Sequence, residues 1–191
     1  MDHGRVNEEE VNARILNTSL SIIITLEEEQ QTQLRQILPL LLTQRYMGEY
    51  EVIVVDKNHD KDLEEWLDEI VVQHTHLSHT FCPSSSRGVD THRLALTLGA
   101  KSANYDWLLI IPVETKVLND KWLTELIEHL DPLHDVVLFS CKRKHRCMWL
   151  RNILHRSFSI VRPSSSVILC RKSILFDTAK VQFSKCKFVK L

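Results

Sequence analysis

An α/β domain with a mostly parallel sheet flanked by helices is the architecture this sequence predicts. Three observations carry the expectation. Short apolar runs rich in β-branched residues recur along the chain, at Leu20 to Thr25, Tyr50 to Asp56 and Tyr105 to Ile111; their length and composition are those of buried strands. Between them, apolar residues return at helical spacing. Glycine is scarce, with 4 among 191 residues, which disfavours sandwiches and propellers and their many special turns.

Each element has its own reason. Residues 1–18, polar and acidic over Met1 to Asn12, read as a polar tail or a loosely attached helix, leaving 19–191 as a single domain. Leu20 to Thr25 is the first strand. The helix after it carries Leu34, Ile37, Leu38, Leu41 and Leu42 on one face, and Pro39 inside it predicts a kink or a break, because proline removes a backbone hydrogen bond. Tyr50 to Asp56 is a second strand that ends in an acid. The next helix presents Leu63, Trp66, Leu67, Ile70 and Val71. His79 to Cys82 reads as a third strand and Pro83 to Val89 as a loop by composition. Thr91 to Ser102 is a helix with Leu94 and Leu98 expected inward. Tyr105 to Ile111 is a strand stopped by Pro112. Asn119 or Asp120 is expected to cap a helix with Trp122, Leu123, Leu126, Ile127 and Leu130 on one side. Asp135 to Cys141 and Val167 to Cys170 read as strands, with a basic, unassigned stretch at 142–165 between them.

Alternation of strands and helices implies parallel strands joined by crossovers, with the runs at 20–25, 50–55 and 106–111 side by side. In such sheets ligands bind beyond the carboxyl ends of the strands. That rule selects Thr25–Glu28, Asp56–Asp60, Ser84–Gly88 and Pro112–Thr115.

Composition narrows the function classes. No apolar run is long enough to span a bilayer, and residues 1–12 lack the apolar core of a signal peptide, so the expected compartment is the cytosol. The 5 cysteines are odd in number and include no Cys-x-x-Cys pair, which argues against a disulfide framework. Cys141, His145 and Cys147 lie close together, but no second ligand pair stands at zinc spacing. Net charge is −1, yet acids dominate the first third, and from Lys142 onward Asp177 is the only acid. That basic stretch, 142–190, is either a solvated face or a contact for phosphates, a membrane surface or nucleic acid.

No Walker loop, Gly-x-Gly-x-x-Gly fingerprint or Gly-x-Ser-x-Gly elbow is present. His74, His76 and His79 are neighbours, but no carboxylate or cysteine completes a metal site, and they are expected to be exposed loop histidines. The informative acid is Asp56. At the end of a buried strand, its carboxylate would accept the imide N–H of a uracil, or it would cap the following helix and close the turn. Both readings stand at this point.

Val54-Val55-Asp56 followed by a polar turn and Asp60 resembles the second-strand motif of family 2 glycosyltransferases, which have the GT-A fold. Ser21 to Thr25 and Leu40 to Gln44 are similar to that family's opening. Thr80 to Ser85, Arg93 to Gly99, Asp106 to Ile111 and Asp120 to Leu123 resemble a bacterial subgroup of it, and Ser165 to Ser173 resembles a segment before its acceptor region. The resemblance covers 19–130, and more loosely 131–178. It implies a nucleotide-diphosphate-sugar donor, usually with uridine, and Mg²⁺ or Mn²⁺ held by an Asp-x-Asp motif that neutralises the leaving diphosphate. It assigns Thr25, Glu27, Asp56 and Arg93 to the nucleotide and Glu114 to the metal.

The departures are equally specific. The metal motif is replaced by Pro112-Val113-Glu114. Leu26-Glu27-Glu28 stands where many members carry an aromatic and an asparagine. No catalytic base is assigned, since Asp177 has no supporting neighbours, and the acceptor half is expected to be incomplete. Three readings follow: a transferase with an altered metal site, an inactive relative kept for binding or scaffolding, and a nucleic-acid-binding module built on 142–190. Trp149 and Phe158 lie among the cations of that stretch, but it matches no nucleic-acid motif, so no DNA or RNA partner is expected.

Overall fold

The computed structural model describes residues 17–58, 60–82, 91–130, 134–140, 166–176 and 186–190. The expectations placed on residues 1–16 of the tail, the Pro83 to Val89 loop, the 142–165 stretch, Cys141, His145 and Cys147, and Asp177 lie outside these residues.

Among the described residues, seven strands form one sheet in the order β3-β2-β1-β4-β6-β5-β7. They are β1 (Leu20–Leu26), β2 (Tyr50–Asp56), β3 (Leu77–Phe81), β4 (Trp107–Ile110), β5 (Val136–Ser140), β6 (Ser166–Arg171) and β7 (Cys186–Lys190). β1 lies between β2 and β4 and is parallel to both, so the three expected strands are adjacent. β3 extends the parallel half beside β2. β6 alone runs against the rest, antiparallel to β4 and to β5, and β7 closes the other edge parallel to β5.

Helices cover both faces. On one, α1 (Gln31–Leu42), α2 (Lys61–Gln73) and α4 (Trp122–Ile127) bury Leu34, Leu38, Leu63, Leu67, Trp122 and Leu123 against Leu20, Ile22 and Ile24 of β1. On the other, α3 (Thr91–Ser102) and α5 (Lys172–Phe176) pack Ala95, Leu96, Ala100 and Ile174 around Ile23, Ile53 and Val55. The alternation within Ile22-Ile23-Ile24 is the period of two that sends successive side chains to opposite faces. It explains why β1 reads as an unbroken apolar run.

Of the two outcomes expected at Pro39, the break does not occur: α1 continues through it to Leu42. Three expectations are corrected. The inward face of α3 centres on Ala95, Leu96, Gly99 and Ala100, with Leu94 and Leu98 only partly buried on its flank. Small residues are needed there because the helix lies close to the sheet: a Cβ on Gly99 would sit 2.8 Å from Ile23 Cγ2 and 3.3 Å from Val55 Cγ2. Neither Asn119 nor Asp120 is the N-cap of α4. That place belongs to Lys121, which makes no side-chain cap bond, and Asn119 Oδ1 instead accepts from the Lys121 N–H at 2.8 Å, shaping the entry turn. The third strand begins at Leu77 and not at His79.

Candidate functional site

The carboxyl ends of β1, β2 and β4 lie side by side because of the parallel register, in which Leu26 is opposite Asp56 and Ile23 is opposite Ile110. The segments following them hold Glu27, Lys57 and Glu114.

Asp56 is 8% exposed. Its Oδ1 accepts the N–H of Asn58 and its Oδ2 the N–H of Asp60, both at 2.9 Å. The carboxylate therefore closes the β2–α2 turn, one of the two roles its position allowed. Asp60 is the N-cap of α2: Oδ1 accepts from the N–H groups of Asp62 at 2.9 Å and Leu63 at 3.1 Å, and Oδ2 accepts from the Gln31 side chain. These hydrogen bonds, led by that from Leu63, hold the Asp60 carboxyl below the usual carboxylate range.

Glu27 has turned toward β2. Its carboxylate pairs with the Lys57 ammonium, and the same oxygen lies 3.8 Å from His92 Nδ1 at the start of α3. The Lys57 side chain is 7% exposed, whereas that of Glu27 is 57% exposed. Gln30 ties this loop to β4: its Oε1 accepts the Glu27 N–H at 2.8 Å and its Nε2 donates to Glu114 Oε1 at 2.6 Å. Glu29, in the same loop, has φ of 65°, a left-handed conformation that costs a side-chain-bearing residue roughly 1–2 kcal/mol. Backbone of this kind is concentrated at ligand-binding loops.

Glu27, Asp56 and Glu114 thus share one edge. Thr25 sits just inside it, opposite Val55 on β2 and partly buried. Arg93 is exposed on the first turn of α3, one residue beyond His92. Lys57 is the residue of the site that sequence reading missed. The signal for it was the strand register, which places the residue after Asp56 beside the residue after Leu26.

A divalent cation has little to hold it here. Pro112 supplies no side-chain oxygen, and Glu114 is engaged by Gln30. Among the described residues, no group of three or more His, Cys, Asp or Glu is arranged to bind a metal. One carboxylate fits a cation only when ligand phosphates and water complete the shell.

The clustered histidines are partly buried, not exposed as expected; His74 and His76 lie in the loop before β3, and His79 lies on β3. The His76 ring packs 5.1 Å from Tyr50 and 5.7 Å from His74, and its Nε2 is buried without a hydrogen-bond partner. Burial, more than the neighbouring His74, pushes its pKa down. His79 pairs with Asp68 at 2.8 Å. A cavity of about 290 Å³ beside Glu51, His76 and Asn104 lies near the opposite, amino ends of β2 and β3, away from the edge described above. Among the described residues, no helix is long and apolar enough to cross a membrane.

Known structures share this fold. S. aureus TarS 1-349 superposes with a TM-score of 0.59 at 19% identity, over 89% of this chain and 52% of that one. The mannosyltransferase PcManGT from Pyrobaculum calidifontis, solved with GDP-Man and Mn²⁺, gives 0.57 at 19% identity, over 81% and 45%. The glycosyltransferase GlyE of Streptococcus pneumoniae TIGR4 gives 0.54 at 12% identity, over 91% and 45%. The chain therefore has the fold of a GT-A glycosyltransferase domain and spans about half the length of the structures it matches. No protein-family model matches it, and neither does any curated protein sequence.

Proposed function

We propose that this chain binds a nucleoside-diphosphate sugar at the carboxyl edge of β1, β2 and β4, and transfers the sugar slowly or not at all. The reading is supported by a GT-A fold, among whose solved representatives are TarS in complex with UDP and PcManGT in complex with GDP-Man and Mn²⁺. The observation that carries it is the sequence Pro112-Val113-Glu114 after β4, where the resemblance implies an Asp-x-Asp metal motif.

The proposed roles follow from position. Each Asp56 oxygen accepts one turn amide and keeps a second lone pair, so the carboxylate can still take the imide N–H of a uracil. Thr25 and Glu27 line the β1 side of the base, and Arg93 approaches from α3. Glu114 is the carboxylate this reading gives to Mg²⁺ or Mn²⁺, and it must first leave Gln30. A departing diphosphate needs its charge neutralised, and a single exposed carboxylate provides a weak hold on the cation that would do it. Ligand binding with little turnover is the outcome this arrangement favours.

The test is a calorimetric titration with UDP and with GDP, each with and without Mn²⁺. Binding that persists without metal supports an inactive binding protein. Binding that requires Mn²⁺, joined to sugar transfer, supports a working transferase with an altered metal site. No binding of either nucleotide, with salt-sensitive binding to RNA or DNA, would overturn the nucleotide reading.

A further inference from the structure

We propose that the Glu27–Lys57 pair is an exchangeable plug, and that a phosphate group binds by taking the place of the Glu27 carboxylate on Lys57 and His92. The inference deepens the nucleotide reading of this edge and rests on it.

The asymmetry of the pair is the starting point. Lys57 keeps only 7% of its side chain in contact with solvent, while Glu27 keeps 57%. A buried ammonium is costly unless an anion accompanies it. An exposed carboxylate released to water loses little, since surface ion pairs contribute about 0–1 kcal/mol. Lys57 therefore requires an anion, and Glu27 is one it can give up. The place Glu27 occupies is already shaped for an anionic oxygen: the same Oε1 meets the Lys57 ammonium and lies 3.8 Å from His92 Nδ1. A phosphate oxygen there would face both nitrogens.

The tether on Glu27 is light. Its N–H is bound by Gln30 Oε1, and the carboxylate can swing away with that bond intact. Gln30 also engages Glu114, so the loop that presents the plug is linked to the one carboxylate at the end of β4. Positive charge for a phosphate then comes from the chain itself, where the Pro112-Val113-Glu114 sequence supplies little for a cation.

The experiment is calorimetry in EDTA with three probes: UDP, inorganic pyrophosphate and uridine. The proteins are wild type, Glu27→Gln and Lys57→Met, each checked by circular dichroism. Glu27→Gln removes the competing charge and is expected to tighten UDP and pyrophosphate several-fold. Lys57→Met is expected to weaken both about tenfold or more, the scale of one lost hydrogen bond between charged groups. Uridine, which carries no phosphate, is expected to be indifferent to Lys57→Met. Affinities for both phosphate probes unaltered by either substitution would overturn the exchange while leaving nucleotide binding standing. Pyrophosphate binding that depends on Lys57, with UDP no tighter than pyrophosphate, would retain the exchange and remove the nucleotide reading. Loss of wild-type binding to UDP and pyrophosphate alike would remove both. Should Lys57→Met fail to fold, the Glu27→Gln arm decides: equal or weaker phosphate affinity sinks the proposal.

Discussion

Replacing Asp56 with alanine removes the acceptor for two turn amides at once. Hydrogen bonds to a charged group contribute about 1.5–3 kcal/mol each. The sum is not reached, because Asn58 is exposed and its N–H recovers water when the carboxylate is gone. The Asp60 N–H recovers less, being held next to the cap of α2. A loss of about 2–3 kcal/mol is therefore expected for Asp56→Ala, and about half of that for Asp56→Asn, which keeps one acceptor oxygen. Equilibrium urea unfolding measures both, as a shift in midpoint at unchanged m-value. Asp56→Ala stability within about 0.5 kcal/mol of wild type, the range of an ordinary surface substitution, would refute the turn-closing role. The same variant is expected to weaken UDP binding by about 1.5–3 kcal/mol, measured under conditions where its fold is intact. The two effects separate in Asp56→Asn if the ligand, and not the turn, needs the negative charge.

Gly99→Ala places a methyl group 2.8 Å from Ile23 Cγ2; overpacking of about 1–3 kcal/mol exceeds the helix-propensity gain of about 0.8–1 kcal/mol, so thermal melts should show net destabilisation. A variant more stable than wild type would mean that the interface yields. His76 is held neutral below its ordinary 6.5, so its contribution is full above that pH and is lost as pH falls toward its folded value, where the unfolded chain binds the extra proton. Asp60, whose carboxyl is lowered from 3.8, gives a separate acid limb below about pH 4. His76→Gln should flatten the first limb and spare the second in pH-dependent urea unfolding. In donor-hydrolysis assays with Mn²⁺, wild type and Glu114→Ala should both stay near background, while Pro112→Asp should increase Mn²⁺-dependent UDP affinity. Robust wild-type turnover abolished by Glu114→Ala would overturn the inactive reading.

What could be read from the sequence follows from how local the cause was. Ile22 to Ile24, Val52 to Val55 and Leu108 to Ile110 declare themselves as strands because both of their faces are buried, which leaves no polar alternation to confuse them. β7 did not declare itself: Cys-Lys-Phe-Val-Lys is short, lacks a clean period-two alternation and lies within a basic stretch, and its strand state depends on β5 being alongside. Leu94 and Leu98 were expected inward on hydrophobicity, but closeness to the sheet favours Ala95 and Gly99 in the centre. Asp56 and Glu114 were identifiable as strand-end acids. The Glu27–Lys57 pair was not, since its members are 30 positions apart in sequence and only the register of β1 against β2 brings them together. The burial of His76 was missed for the same reason: it lies in the turn before β3, and Tyr50, distant in sequence, packs against it.

The lone reversed strand has a consequence for how the chain assembles. β4 is complete by Ile110 and β5 by Ser140, yet they never touch in the sheet, because β6 lies between them. Until residues near Cys170 arrive to pair with both Leu108 and Val136, β5 has no partner on its β4 side, and β4 offers a bare row of amides and carbonyls. The half built from β3, β2, β1 and β4 involves shorter loops and can form first; the second half must wait for a late insertion, which slows folding as non-local pairing does. During that wait β4 is an open template for a neighbouring chain. Refolding yield should therefore fall with protein concentration, and a peptide spanning Ser166–Arg171 added in trans should protect it.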